Sequence, residues 1–266
     1  MSAEASPVRY EVADGVATVT LDRPDAMNAL DTATKEALRD AVHRAASDDE
    51  ARAVVLTGTG RAFCVGQDLK EHVEGLRSDR PAPLSDTVEA HYNPTVTALA
   101  TMPKPVVAAV NGVAAGAGAS LTFACDFRIL AESASYNLAF ASIALSCDTG
   151  ASWTLPRLVG HARATDLLMR PRTIHAGEAE VLGLATEVVP TDRLAEDAHA
   201  FAARLAAGPT LALASIKRAL AYSATHDLAT SLIHEAQKMA FTGSSADHAA
   251  AVDSFLAKQK PVFQGR

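Results

Sequence analysis

Residues Asn111–Asp126 read NGVAAGAGASLTFACD, a turn entering a helix on which alanine and glycine stand where larger side chains would normally be. Such residues let another group approach the main chain closely. The first N–H groups of a helix lack intrahelical partners, and the helix dipole favours negative charge beside them. Taken alone, the stretch has two readings: close packing of a buried helix on a sheet, or a backbone hole for an oxyanion. Immediately upstream, Pro105–Val110 (PVVAAV) is an unbroken apolar run of the length of a buried strand. The nearly charge-free span Val106–Cys125 is about as long as a membrane crossing. Asn111, Gly112, Gly116 and Gly118 interrupt it, so strand, turn and helix are expected instead.

The same alternation extends in both directions. Val8–Val12 and Val16–Leu21 flank Asp14-Gly15, a hairpin signal. From Thr32 to Ala46, apolar residues at 33, 37, 38, 41, 42 and 45 recur at helical spacing behind Asp31 or Thr32 as N-cap. Ala53–Thr57 is a short buried strand, so strand, helix and strand suggest parallel pairing through a crossover helix. Gly58–Ser85, rich in glycine, proline and charge, reads as a long loop covering a site. A helix is expected over 86–101, and Phe127–Leu130 and a stretch near Tyr136 continue the strands. Beyond Ala176 the pattern is mostly helical, over 192–207, 209–222, 227–241 and 245–257, punctuated by Gly208-Pro209 and Gly243. This divides the chain into a core of β-β-α units over 1–190 and a helical region over 191–266. The helical region is too small for a core of its own, so it is expected to pack on the main unit or on a neighbouring subunit.

Composition narrows the function. The 266 residues are 48% hydrophobic and 21% charged, as in a folded globular protein. The net charge of −7, with no Lys/Arg block and 5% aromatics, argues against a nucleic-acid surface. Cys64, Cys125 and Cys147 are odd in number and lack CxxC spacing, so reduced thiols and no metal are expected. MSAEASPVRYEV carries no basic start followed by an apolar run, so a cytoplasmic protein without a secretory signal is expected. Familiar catalytic signatures are missing. Gly58-Thr59-Gly60 has Phe at 63, which breaks the dinucleotide fingerprint; no P-loop exists; His234-Glu235 is followed by Lys at 238; Ser120 and Ser152 lack the second glycine of a nucleophile elbow.

What remains is a pair of segments, Ala62–Leu69 (AFCVGQDL) and Ala114–Ala119 (AAGAGA), each just after a buried strand. Together with LDRPDAMNAL at 21–30 and KPVVAAVNG at 104–112, in this order and spacing, they resemble the crotonase (enoyl-CoA hydratase/isomerase) superfamily. The resemblance runs through to SFLAKQKPVF at 254–263. It implies an α/β fold of the ClpP-like spiral type with a C-terminal helical trimerisation region, and a homotrimer or homohexamer. It also implies an acyl-CoA thioester substrate and no separate cofactor; no nucleic-acid or membrane partner is expected from the charge pattern and the interrupted apolar span. The thioester oxygen would sit between the backbone N–H groups of Val65 and Ala117, and preorganised donors of this kind stabilise an enolate. A CoA site is implied near Arg23–Ala26 and Ala62–Asp68, including Cys64, Gly66 and Gln67, with Gly116 beside the oxyanion. Phe255 and Lys258 would close it, in this chain or from another subunit.

Hydratases of the family activate water with two glutamates. The corresponding positions here hold Ser120 and Phe140, neither a general base; Phe140 is instead expected to line the substrate site. No acidic residue lies between Ser133 and Cys147, and the next is Asp148, in an apolar context. Burial would raise its pKa and suit it to taking and returning a proton, although Asp148 before Thr-Gly-Ala-Ser also reads as a helix cap. With HYNP at 91–94, this segment resembles the 1,2-epoxyphenylacetyl-CoA isomerases and Δ3,Δ2-enoyl-CoA isomerases of the superfamily, in which one Asp shuttles a proton. Cys147 stands where that group usually has Pro. The resemblance thus favours isomerisation, in phenylacetate or fatty-acid catabolism, over hydration. A non-catalytic CoA-ester-binding protein is the alternative of another class.

Overall fold

A computed structural model describes residues 6–78 and 83–266. The start of the segment read for a leader, and part of the 58–85 region, lie outside the described residues. The hairpin forms as β1 (Val8–Ala13) and β2 (Val16–Leu21), with Asp14 and Gly15 both at positive φ in the turn. Helix α1 (Thr32–Ser47) follows; the Asp31 carboxylate caps it by accepting the Thr34 N–H. Next come β3 (Ala53–Gly58), β4 (Ala62–Cys64), α2 (Leu69–Leu76), α3 (Leu84–Thr87), a π turn (Val88–Tyr92) and α4 (Asn93–Thr101).

The 58–85 segment therefore holds a strand and a helix where a loop was expected. Strand β4 is three residues long and buried throughout, so it shows no alternation. Helix α2 buries none of its residues, although Leu69, Val73 and Leu76 fall on it at helical spacing, a two-turn stripe that the reading of a loop passed over. The π turn sits just ahead of Pro94, whose ring lacks an N–H and crowds the preceding turn; the Asn93 N–H reaches back five residues to the Val88 carbonyl. Single widened turns of this kind recur at functional sites.

The opening motif becomes β5 (Val106–Val110), β6 (Val113–Ala115) and α5 (Ala117–Phe123). Then follow β7 (Phe127–Ala131), β8 (Ser135–Asn137), α6 (Ala151–Val159), α7 (His161–Met169), β9 (Thr173–His175), α8 (Ala176–Leu182) and β10 (Glu187–Val189). The chain ends in α9 (Leu194–Ala206), α10 (Thr210–Ser223), α11 (Leu228–Gly243) and α12 (Ala246–Leu256). A six-stranded sheet runs β1-β2-β3-β5-β7-β10, parallel except for the β1–β2 hairpin. A four-stranded sheet runs β4-β6-β8-β9, parallel except for β8–β9. Three times the chain leaves a strand of the larger sheet (β3, β5, β7) and passes within three residues into the smaller one (β4, β6, β8). That repetition is the spiral.

The core is built from the fully buried β5 and from Ala53–Leu56 of β3, with α9 laid on the larger sheet through Leu194, Ala198, Ala202 and Ala206. Helix α10 is pinned to this core by Lys217, whose ammonium donates to the Asp126 carboxylate (2.8 Å) and the Leu99 carbonyl (2.8 Å). Among the described residues, no helix is long and apolar enough to cross a membrane.

Candidate active site

Strands β4, β6 and β8 are parallel neighbours, and the segments leaving their carboxyl ends converge, as ligand sites in open α/β sheets do. Residues 64–68 leave β4. They lie against Met27–Leu30, which explains why the LDRPDAMNAL segment belongs to the site. The Val65 N–H donates to the Met27 carbonyl (3.3 Å), the Asp68 N–H to the Leu30 carbonyl (3.1 Å), and the Leu30 N–H to the Gly66 carbonyl (2.8 Å). These bonds make a one-residue parallel bridge between Leu30 and Gln67. In a parallel bridge the central residue's own N–H points away from its partner segment. The Gln67 N–H accordingly has no acceptor among the described residues.

Residues 115–117 leave β6 opposite this loop. A Cβ on Gly66, which has φ +86°, would come within 2.9 Å of the Ala115 carbonyl and 3.3 Å of the Ala117 nitrogen. One on Gly118 would overlap the Cys64 carbonyl. The two loops thus touch through glycine. Ala117, the first residue of α5, has no partner for its N–H among the described residues. Val65 is therefore corrected as an oxyanion donor, because its N–H is spent on Met27. Gln67, two residues on, keeps an open N–H among the described residues, and so does Ala117 at the start of α5. The AFCVGQDL motif shows that its backbone is open to a ligand but not which amide the neighbouring segment consumes.

Asp148 enters from the segment after β8. Asp148 and Gln67 line one cavity of about 600 Å³, together with Tyr92, Asn93, Leu145 and Cys147. Helix α6 is entered at Gly150 without any side-chain cap bond. Asp148 is not its cap, which removes the structural reading of that carboxylate. Its Oδ1 accepts the Thr149 hydroxyl (2.8 Å), and Oδ2 has no partner among the described residues. Burial raises the Asp148 pKa, opposed by the Thr149 bond. Glu89 stands exposed on the rim of the same cavity.

Ser120 is fully buried and donates to the Gly116 carbonyl (3.0 Å), so its hydroxyl is turned into its own helix. Phe140 does not line the Asp148 cavity. It lines an adjoining one of about 470 Å³, with the Leu145–Cys147 segment as the shared wall. Its ring lies near the loop after β6, where a Cβ on Gly116 would sit 3.9 Å from it.

The residues expected to hold CoA are placed unevenly. Arg23 is not a free cation, because it pairs with Asp31 (2.9 Å) and Asp68 (3.2 Å) and donates to the Ala29 carbonyl. Asp68 caps α2 by accepting from the Lys70 and Glu71 N–H groups. Burial opposes its charge, yet those bonds and Arg23 hold the carboxyl below the ordinary range. The Ala62 carbonyl accepts both Asn28 and Asn111 side-chain amides, and Ala26 closes the short turn Pro24–Ala26. Cys64 is fully buried, with its thiol pushed up to about 12 by desolvation, so its side chain is inert toward a ligand. Phe255, 80% exposed at the end of α12, and Lys258 bond to no site residue within this chain.

A cluster behind the site was not singled out from the sequence. Lys35, 4% exposed, donates to Gln67 Oε1 (3.3 Å) and Thr87 Oγ1 (2.8 Å), and Tyr92 Oη donates to the same Gln67 oxygen (2.7 Å). Burial first, and the Asp148 charge second, push the Tyr92 phenol up, so it remains a donor. The signal was present: Lys35, Leu38, Val42 and Ala45 fall on one buried face of α1, and lysine on a buried face is unusual.

The family model for enoyl-CoA hydratase/isomerase matches residues 11–266. The probable enoyl-CoA hydratase of Rhodobacter capsulatus is 45% identical over 260 residues, covering 97% of this chain and 98% of that one. The 1,2-epoxyphenylacetyl-CoA isomerase of Escherichia coli is 41% identical over 256 residues, covering 96% and 97%. A solved Mycobacterium abscessus chain superposes with a TM-score of 0.93 at 46% identity, covering 97% of this chain and 100% of that one. With its crotonase-type spiral and a match over nearly its full length, the chain belongs to the enoyl-CoA hydratase/isomerase family.

Proposed function

We propose that the chain is a cofactor-free acyl-CoA isomerase. The observation that carries this reading is Asp148, a half-buried carboxylate with raised pKa and one free oxygen, on the cavity wall with Gln67. The thioester oxygen is held by the Gln67 and Ala117 N–H groups. Asp148 takes a proton from the acyl chain, and the electron pair moves into the thioester as an enolate. The same carboxyl then returns the proton to another carbon, and the double bond shifts. Nothing is oxidised or reduced and no water enters, so one acid/base suffices. The E. coli relative named as an isomerase supports this direction, and phenylacetate or fatty-acid catabolism is the context it suggests. Ser120 and Phe140 stand where hydration would need glutamates.

The test is deuterium uptake from D2O into a 3-enoyl-CoA, with double-bond migration followed in parallel. Asp148→Asn should lose both by about 100- to 10,000-fold while still binding the ester. An Asn variant that exchanges at the wild-type rate would remove Asp148 from the mechanism. The second reading, hydration, is favoured by Glu89 on the cavity rim and by the name of the R. capsulatus relative. It predicts water addition to a 2-enoyl-CoA that Glu89→Gln abolishes. A protein that binds CoA esters but turns over neither class would be the non-catalytic alternative. We also propose assembly as a trimer or hexamer, supported by the exposed apolar residues of α10–α12.

A further inference from the structure

The Gln67 side chain is held in one orientation. A lysine ammonium donates and never accepts, so the Gln67 atom facing Lys35 at 3.3 Å is its carbonyl oxygen, and Tyr92 donates to that same atom at 2.7 Å. Lys35 is itself fixed by Thr87 (2.8 Å) and an ion pair with Glu71 (3.8 Å). With Oε1 committed to two donors, the amide cannot rotate to exchange oxygen for nitrogen without facing N–H against N–H. Its Nε2 is left with two hydrogens and no acceptor among the described residues, on the wall of the cavity that holds Asp148. An amide nitrogen with no protein partner in a ligand cleft is a donor waiting for an acceptor. A pure hydrocarbon acyl chain offers none.

We infer that the Gln67 side-chain amide donates to an oxygen carried on the acyl group, so that the enzyme selects acyl-CoA esters with an epoxide, ether, keto or hydroxyl oxygen near the thioester over plain alkenoyl esters. Lys35 and Tyr92 are positioning residues in this scheme, acting through Gln67. The inference rests on the acyl-CoA reading above and deepens it. Gln67 would then serve twice, its main-chain N–H on the thioester oxygen and its side chain on the acyl oxygen. Sites built to hydrogen-bond a substrate group discriminate strongly against the analogue that lacks it, because the protein's donor is then left unpaired.

The experiment is competitive binding to the full-length protein with matched ester pairs: hexanoyl-CoA against 3-oxohexanoyl- and 3-hydroxyhexanoyl-CoA, and phenylacetyl-CoA against 2-hydroxyphenylacetyl-CoA. The wild type should bind at least one oxygenated member roughly tenfold more tightly than its hydrocarbon partner. In Gln67→Leu and Gln67→Met that ratio should fall to about one, whatever happens to absolute affinity, because the ratio cancels general damage to the loop. Tyr92→Phe should lower the same ratio part of the way. A wild-type ratio near one, or a ratio that survives in both Gln67 variants, overturns the inference while leaving the acyl-CoA reading intact. Failure of every ester to bind overturns that reading and the inference with it.

Discussion

At the scale of single residues, the site separates two jobs that a sequence motif runs together: presenting an amide and leaving it free. Val65 and Gln67 are both in AFCVGQDL, and the parallel bridge to Leu30 decides between them. Ala117→Pro tests the second donor. Proline is tolerated at the first position of a helix, where its missing N–H has no intrahelical use, so folding should be little affected. The turnover number should nevertheless fall by about 100- to 1,000-fold, the usual cost of removing one such donor. A wild-type turnover number in a folded Pro variant would place the oxyanion elsewhere. The raised pKa of Asp148 makes a second residue-scale prediction. The carboxylate must be ionised to act as base, so kcat/KM should rise with pH through an acid limb displaced above the ordinary carboxylate range. The displacement follows from burial, with the Thr149 hydroxyl pulling the other way. Thr149→Val should therefore move the limb further up in pH, and a shift downward would contradict the assignment.

At the scale of elements, the most sensitive contact is between the first turn of α5 and β4. Gly118→Ala would drive a Cβ into the Cys64 carbonyl, a backbone atom that cannot swing aside. Turnover should be lost and stability should fall by about 3 kcal/mol, within the range for overpacking a tight interior, read as a lower denaturant midpoint. Docking of α10 depends on Lys217 over Asp126, whose carboxyl is raised by burial even with the lysine beside it. Lys217→Met strands that carboxylate, and with Asp126 about one quarter exposed the expected loss is roughly 2 kcal/mol at neutral pH. The loss should shrink as pH falls and Asp126 takes up a proton. Elements with a sharp apolar contrast were legible: α1, β3, β5 and the last four helices lie where their periodicity placed them. Strand β4 and helix α2 were not: β4 is only three residues and buried on every side, and the Leu69, Val73, Leu76 stripe of α2 is only two turns long within a charged, glycine-bearing stretch. Asp148 stood out as the first acidic residue after a long stretch without one, whereas Ala117 came, with Val65, from the family resemblance. The engagement of the Val65 N–H could not be read from the sequence, since it depends on Met27 being brought against the 64–68 segment, nor could the double pairing of Arg23, with Asp31 eight residues on and with Asp68 from that same segment.

At the scale of the whole molecule, the C-terminal helices pose a solvation problem that one chain leaves unsolved. Leu228, Ile233, Met239 and Phe241 on α11, and Phe255 and Leu256 on α12, are each more than half exposed. Large apolar side chains exposed in this number along two neighbouring helices point to an interface. Phe255 and Lys258, expected to close the CoA site, are also bonded to none of its residues within their own chain. One arrangement answers both points: α11 and α12 pack against a neighbouring copy, and the end of α12 reaches the neighbour's site. Light scattering should then give three or six times the 27.7 kDa of the chain at micromolar concentration. Met239→Glu with Phe241→Glu should dissociate it, because each subunit would bury a charge against apolar neighbours. The dissociated protein should show a higher KM for CoA esters with a smaller change in kcat, since Gln67, Ala117 and Asp148 all belong to one chain. If the wild type is a monomer at that concentration, the shared-site arrangement fails. If the variant separates with KM unchanged, the helices hold subunits together without completing the site.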